Sequence, residues 1–170
     1  MKFLLLVTLP LIVIDQLTKW LIQTHIPYGT AVPIIPGFFN LVYVSNTGAA
    51  FSIFQGNNFF FIALALVALA AVLFWLIRDQ FNPHKEQRMS VITKIAFSLF
   101  AAGIIGNLLD RILKGSVVDF LDFYIQRYAW PSFNVADSCI CVAAGLLVLM
   151  SFRRQQPRSL PGSSKSAEPR

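Results

Sequence analysis

The chain has 170 residues, 56% of them hydrophobic and only 13% charged, with a formal net charge of +6. A water-soluble domain carries about a quarter charged residues, so this chain could not cover a soluble surface, and its class is a single-domain integral membrane protein. The basic excess flanks apolar runs rather than forming one patch, which argues against a nucleic-acid partner.

Residues 3–25 form the first expected transmembrane helix. Its basic, apolar start is like a signal peptide, but no small-x-small cleavage site follows and the helical pattern runs on through Asp15 to Ile22. Asp15 and Lys19 are four apart on one helical face, acid before base, which makes an ion pair tolerable in the bilayer.

From Trp20 to Ile77 there is no Lys, Arg, Asp or Glu. Pro27, Gly29, Pro33, Pro36 and Gly37 break any helix in the first part. Residues 38–45 (FFNLVYVS) are aromatic and β-branched, as in a strand. Asn46, Thr47 and Gly48 read as a turn, and residues 49–54 as a second extended piece. Together they predict a small β-rich element lying on the membrane surface.

Residues 59–77 give the second helix, uncharged and roughly 28 Å long at 1.5 Å per residue, close to the hydrocarbon thickness. A polar loop over 78–90 leads to the third helix, 91–113, in which Gly103 and Gly106 allow a close helix neighbour. Residues 116–133 read as a short amphipathic interfacial helix, with Tyr124, Tyr128 and Trp130 at headgroup level. Val135–Phe152 is the fourth helix. The expected architecture is an all-α membrane fold: a four-transmembrane-helix bundle with a small β-rich cradle and a short interfacial helix on the outer face. The membrane unit covers 1–152, and the Pro-, Ser- and Arg-rich residues 153–170 form a disordered basic tail.

Ten of the fourteen Lys and Arg fall on one side of this four-span arrangement: Lys2, Arg78, Lys85, Arg88, Lys94, Arg153, Arg154, Arg158, Lys165 and Arg170. The positive-inside rule makes that side, and both termini, cytoplasmic.

Polar residues concentrate between 106 and 137, which hold Asn107, Asp110, Arg111, Asp119, Asp122, Asn134 and Asp137, four of the chain's eight acids among them. Asp119 follows the third helix and Asp137 begins the fourth, so both belong near the outer interface. Two carboxylates a few Å apart share one proton at neutral pH. The ionised member can then take a proton from water while the other donates to a scissile carbonyl, the logic of a two-aspartate peptidase. Plainer readings stand beside this one. Asn134 with Asp137 three later fits a helix N-cap with an acid in the first turn. Asp119 alone, and Asp122, fit solvated interfacial acids, and Asp110 with Arg111 fits a local charge pair. Asn107 and Arg111 are four apart and share one helical face. Other hydrolytic chemistry is poorly supplied: His25 and His84 are isolated, and there is no HExxH motif or cysteine cluster for zinc. Cys139 and Cys141 point to different helix faces and read as apolar filler. A small proton-coupled membrane carrier is the alternative, though its acids should spread through the bilayer and an inverted repeat is not visible. A non-enzymatic membrane assembly factor is a further one.

Five stretches in order (residues 15–19, DQLTK; 46–52, NTGAAFS; 106–111, GNLLDR; 117–120, VVDF; 133–138, FNVADS) make the chain resemble the bacterial lipoprotein signal peptidases, also called signal peptidase II. The resemblance covers about residues 10 to 150. It implies an aspartic endopeptidase of the bacterial inner membrane that needs no metal or other cofactor. Its substrates would be diacylglyceryl-modified prolipoproteins, cut just before the lipidated cysteine. It also implies Asp119 and Asp137 as the catalytic pair, with Asn46, Gly48, Asn107, Arg111 and Asn134 binding substrate or supporting the pair. Asp15 and Lys19 would be a structural polar pair, and the β-rich segment a cradle at the membrane surface. Membrane lipid is the other expected partner, and a monomer the expected state.

Overall fold

The computed structural model describes residues 2–48 and 56–154. Four helices dominate: α1 (Leu9–His25), α2 (Asn58–Gln80), α3 (Val91–Lys114) and α4 (Val135–Arg154). Wider π-type turns over Leu4–Thr8 precede α1, so the first apolar segment runs Leu4–His25, and all four segments are long and apolar enough to cross a membrane.

Helix α3 is the axis of the bundle. It packs against α1, α2 and α4, and half of its apolar window is buried, against 6% for α2. Its small residues allow this: Ala96, Ala101 and Ala102 are buried. At Gly103 a Cβ would overlap the Ala136 carbonyl and lie 2.6 Å from Ile140, so only glycine lets α4 come this close. Helix α2 shows most of its large side chains outward, among them Phe59, Leu64, Val67 and Phe74. With so little core to bury, that surface belongs against acyl chains.

Helix α2 opens on an Asn57 cap whose side chain accepts from the Phe60 amide, and α3 on a Ser90 cap accepting from the Thr93 amide. Gly115 ends α3 in the left-handed region (φ 76°), turning the chain sharply into the next strand.

Four strands, β1 (Ala31–Ile35), β2 (Phe39–Asn46), β3 (Val117–Ile125) and β4 (Tyr128–Ala129), lie in that order with antiparallel pairing throughout. The predicted strand at 38–45 is β2, displaced by one residue. The proline-interrupted stretch before it supplies β1, an exposed edge strand in which Pro33 is tolerated. The interfacial helix expected over 116–133 is not formed; β3 and β4 stand there. The run VVDFLDFYI is β-branched and aromatic, and β2 offers it backbone partners from Val117 to Phe123 on either side of one irregularity. Val118 and Phe120 then bury against Ile22 and Ile26 of α1 and its end, while Phe123 stacks on Phe39 and Phe133. The second extended piece expected at 49–54 lies outside the described residues. So does the tail beyond 154; α4 itself continues two residues past the expected boundary at 152.

One irregularity in the sheet matters for function. Leu41 pairs with Leu121 but Val44 with Asp119, so β2 carries one extra residue between these pairs. Without this bulge, alternation would place Asn46 on the opposite face of the sheet from Asp119. The bulge shifts the register by one, and Asn46 joins Val44 on the Asp119 face.

Candidate active site

The site forms where the C-terminal half of α3, the start of α4 and the β2–β3 pair meet. Its two carboxylates are Asp119, 2% exposed on β3, and Asp137, half-buried in the first turn of α4. One residue spans them. The Asn134 side chain donates from Nδ2 to Asp119 Oδ1 (2.7 Å) and accepts the Asp137 amide at Oδ1 (2.9 Å). Its own amide donates to Asp137 Oδ2 (3.1 Å). The N-cap reading of Asn134 therefore holds, and the same cap is the bridge between the acids.

Two further amides complete the shell. Asn46 Nδ2 donates to Asp119 Oδ2 (2.9 Å), and Asn107 Nδ2 donates to Asp137 Oδ1 (2.7 Å). Each of the three asparagines has its oxygen claimed by a group that can only donate. Gly48 N–H holds that of Asn46, the Lys19 ammonium that of Asn107 (3.1 Å), and Asp137 N–H that of Asn134. The amide orientations follow: all three present NH2 to a carboxylate.

Burial pushes the Asp119 carboxyl up to about 7, helped by the nearby Asp137 charge; the Asn46 and Asn134 donors and the Lys19 charge pull the other way and offset only part of it. At neutral pH Asp119 thus sits near half-protonation. Such a pair can deprotonate a water with one member and protonate a carbonyl oxygen with the other.

Below this shell lies a buried ionic array. Lys19, fully buried, has three N–H groups and three acceptors: Asp15 Oδ2 (2.8 Å), Asp110 Oδ2 (2.9 Å) and Asn107 Oδ1. Asp110 also meets Lys114 Nζ at 2.9 Å, so two acids balance two bases. The second oxygen of Asp15 accepts the Ala136 amide (2.8 Å), satisfying an orphan N–H at the start of α4 and placing a negative charge at its positive end. The Asp15–Lys19 pair expected from sequence is present and is the centre of a larger array. Sequence reasoning did not place Asp110 there. Its spacing four residues before Lys114 was the available signal.

The plainer reading of Asp110 with Arg111 as a local charge pair does not hold, because successive helical residues point to different faces. Arg111 turns the other way. Its Nη2 donates to the Gly48 carbonyl (2.7 Å), its guanidinium lies 4.4 Å from the Phe61 ring centre, and its own carbonyl accepts from Asn58 Nδ2 (2.9 Å). Asn107 and Arg111 thus both face the site region, with Arg111 holding the Asn46–Gly48 turn against α2. Asp122 is not simply solvated: it accepts from Asn40 Nδ2 (2.9 Å) across the sheet, away from Asp119. Cys139 is buried and Cys141 exposed, on different faces.

The chain matches the family model described as signal peptidase (SPase) II over residues 7–153. It is 44% identical over 155 residues to the lipoprotein signal peptidase of Syntrophotalea carbinolica, covering 89% of this chain and 92% of that one. The lipoprotein signal peptidase of Symbiobacterium thermophilum is 44% identical over 138 residues, covering 81% and 86%. A bacterial membrane enzyme solved by the in meso method at 2.3 Å superposes with a TM-score of 0.81 at 30% identity, covering 97% of this chain and 96% of that one. A second such structure, at 1.9 Å, gives 0.77 at 32% identity, covering 90% and 94%.

Proposed function

The chain belongs to the signal peptidase II family, and from that premise we propose that Asp119 and Asp137 are the catalytic pair of an intramembrane aspartic peptidase that removes lipoprotein signal peptides. The observation that carries this reading is the Asn134 bridge: one side chain and its backbone amide bond both carboxylates. In the proposed reaction the pair holds one proton. The ionised carboxylate takes a proton from water, the hydroxide attacks the scissile carbonyl, and the protonated carboxyl donates to the forming oxyanion. Breakdown of the tetrahedral intermediate returns a proton to the leaving amine.

The substrates are diacylglyceryl-modified prolipoproteins, cut before the lipidated cysteine. Asn46, Asn107 and Asn134 hold the carboxylates, and Arg111 and Gly48 fix the turn beside them. The enzyme sits in the inner membrane with both termini cytoplasmic and the pair at the outer boundary.

The test is cleavage of a lipidated precursor by purified variants in detergent, with a chelator present. Asp119→Asn and Asp137→Asn should each lose on the order of a thousand-fold in turnover, and the double variant little more, because residues acting as a unit are not additive. Asp122→Asn, on the other face of the sheet, should keep activity. Substantial turnover by either dyad variant removes that residue from the mechanism. Loss of wild-type activity to the chelator would indicate a metal on the same carboxylates.

A further inference from the structure

Asn134 spans the two carboxylates, so its own placement decides their geometry. Its bonds to Asp119 and Asp137 go to the groups it must align, and its bond to the β3 backbone, at the Val118 carbonyl, is long at 3.3 Å. The firmer attachment lies one residue earlier. The Phe133 carbonyl accepts the Phe120 amide (3.0 Å) and the Leu121 amide (2.8 Å), and the Phe133 amide donates to the Leu121 carbonyl (3.1 Å). These bonds make an isolated bridge between Leu121 and Phe133. Pro131 and Ser132 separate it from β4, and a proline has no N–H to continue a ladder. One bridge fixes the height of Phe133 along β3 but leaves the chain free to roll, and rolling swings Asn134.

The Phe133 ring supplies a second point of attachment. It stacks on Phe123, with centroids 5.8 Å apart and planes at 19°. Phe123 in turn stacks on Phe39 (4.7 Å, 26°) and meets Phe38 edge-on (5.5 Å, 71°). Strand β3 stands between β2 and the Phe133 bridge, so the Phe123 ring is the middle one of three. It lies on the Asp119 face of β3, four residues along and about 13 Å away, too far to touch that carboxyl.

We propose that Phe123 is a positioning residue for the dyad, acting through Phe133 to hold Asn134 between the two carboxylates. The inference rests on the reading of Asp119 and Asp137 as the catalytic pair. Without the flat face of Phe123 the backbone bridge remains, but Phe133 rolls and the Asn134 bond to Asp119 stretches. That bond favours the ionised form of Asp119, so stretching it makes the carboxyl harder to ionise and loosens the alignment of acid and base.

The experiment is cleavage of a lipidated precursor by the purified full-length protein in detergent. Turnover, KM and the pH profile are measured per folded molecule, with the unfolding midpoint alongside. Phe123→Leu keeps apolar volume but removes the flat face. It should lower kcat about ten-fold or more, since a misplacement of about 1 Å can cost about a hundred-fold, while KM stays within about two-fold. The alkaline limb of its profile should move to higher pH. Phe133→Leu breaks the same contact from the other side and should do the same. The double variant should be little worse than either single one, because both remove one interaction. Phe39→Leu removes the outer stack and leaves Phe123 on Phe133. It should lower the unfolding midpoint as Phe123→Leu does, with kcat and the alkaline limb close to wild type. Wild-type kcat in Phe123→Leu, beside an inactive Asp119→Asn, overturns this inference alone. So does a raised KM at unchanged kcat, which makes the ring a substrate contact. Equal kcat losses in Phe123→Leu and Phe39→Leu overturn it too, as general packing of the stack. Substantial turnover by Asp119→Asn removes the dyad reading and this inference with it.

Discussion

A carboxyl poised at about 7 ties both activity and stability to pH through Asp119. If its protonated form is the acid, kcat/KM should fall on the alkaline side with an apparent pKa near 7. Asn46→Ala removes a donor to the ionised form, so the alkaline limb should move to higher pH while the acid limb stays; a shift to lower pH in the measured profile would mean Asn46 does not serve the anion. For stability, the folded pKa lies above the ordinary 3.8. Between about pH 4 and 7 the folded state keeps a proton that the unfolded state has lost, so stability falls as pH rises through that window and the loss is complete above it. Its full size is on the order of 4 kcal/mol as an upper bound. Asp119→Asn has no such proton, so its unfolding midpoint relative to wild type should rise from about pH 4 to 7 and level off above, in a protein that no longer cleaves substrate. A pH-independent difference would show that burial does not perturb the carboxyl. The two acids were legible in the sequence because acids are scarce in so apolar a chain. The orientation of the Asn107 amide was not, since it depends on Lys19, a donor far away in sequence.

At the level of elements, the close seam between α3 and α4 sets where Asp137 stands. Gly103→Ala would drive a methyl into the Ala136 carbonyl and the Ile140 side chain, one residue from Asp137. Overpacking of this kind costs about 1–3 kcal/mol. We expect a lower unfolding midpoint together with a loss of turnover larger than the fraction unfolded explains, because the first turn of α4 must shift. Normal turnover in the folded fraction would mean that the seam can relax without moving the dyad. The helices were readable from sequence, since long uncharged runs admit few alternatives in a membrane. Strand β3 was not. Asp119 and Asp122 three apart imitate a helical face, and the preference of VVDFLDFYI for a strand is realised only through pairing with β2, more than seventy residues earlier. The bulge in β2 was also invisible, although it decides which face Asn46 joins; no local signal separates a bulged from a regular strand here.

Across the whole molecule the two ends of the bundle use cations differently. On the dyad side, Lys19 and Lys114 are bound to Asp110, and Arg111 is engaged by Gly48 and Phe61. Of that side's four cations, Lys19 and Arg111 are buried inside the fold, while Lys114 and Arg127 are exposed. On the other side, among the described residues, only Lys94 is paired with an acid, Asp79; Arg78 lies over the Trp75 ring, Lys2 is exposed, and further basic residues continue through the loop and past α4. Cations absorbed inside the fold cannot act as a topological signal, so the asymmetry felt by the membrane is larger than ten against four. This supports placing the dyad end outward. In a background with Cys139 and Cys141 replaced by Ala, single cysteines at Asn57 and Arg127 should react with an impermeant maleimide added to intact cells. One at His84 should react only after the membrane is opened. Asn57 and Arg127 precede α2 and join β3 to β4, while His84 lies between α2 and α3, so the three positions sample both ends of the same bundle. Labelling of His84 in intact cells with protection of the other two would turn the molecule over and set the two carboxylates at the cytoplasmic boundary, where an exported precursor could not reach them.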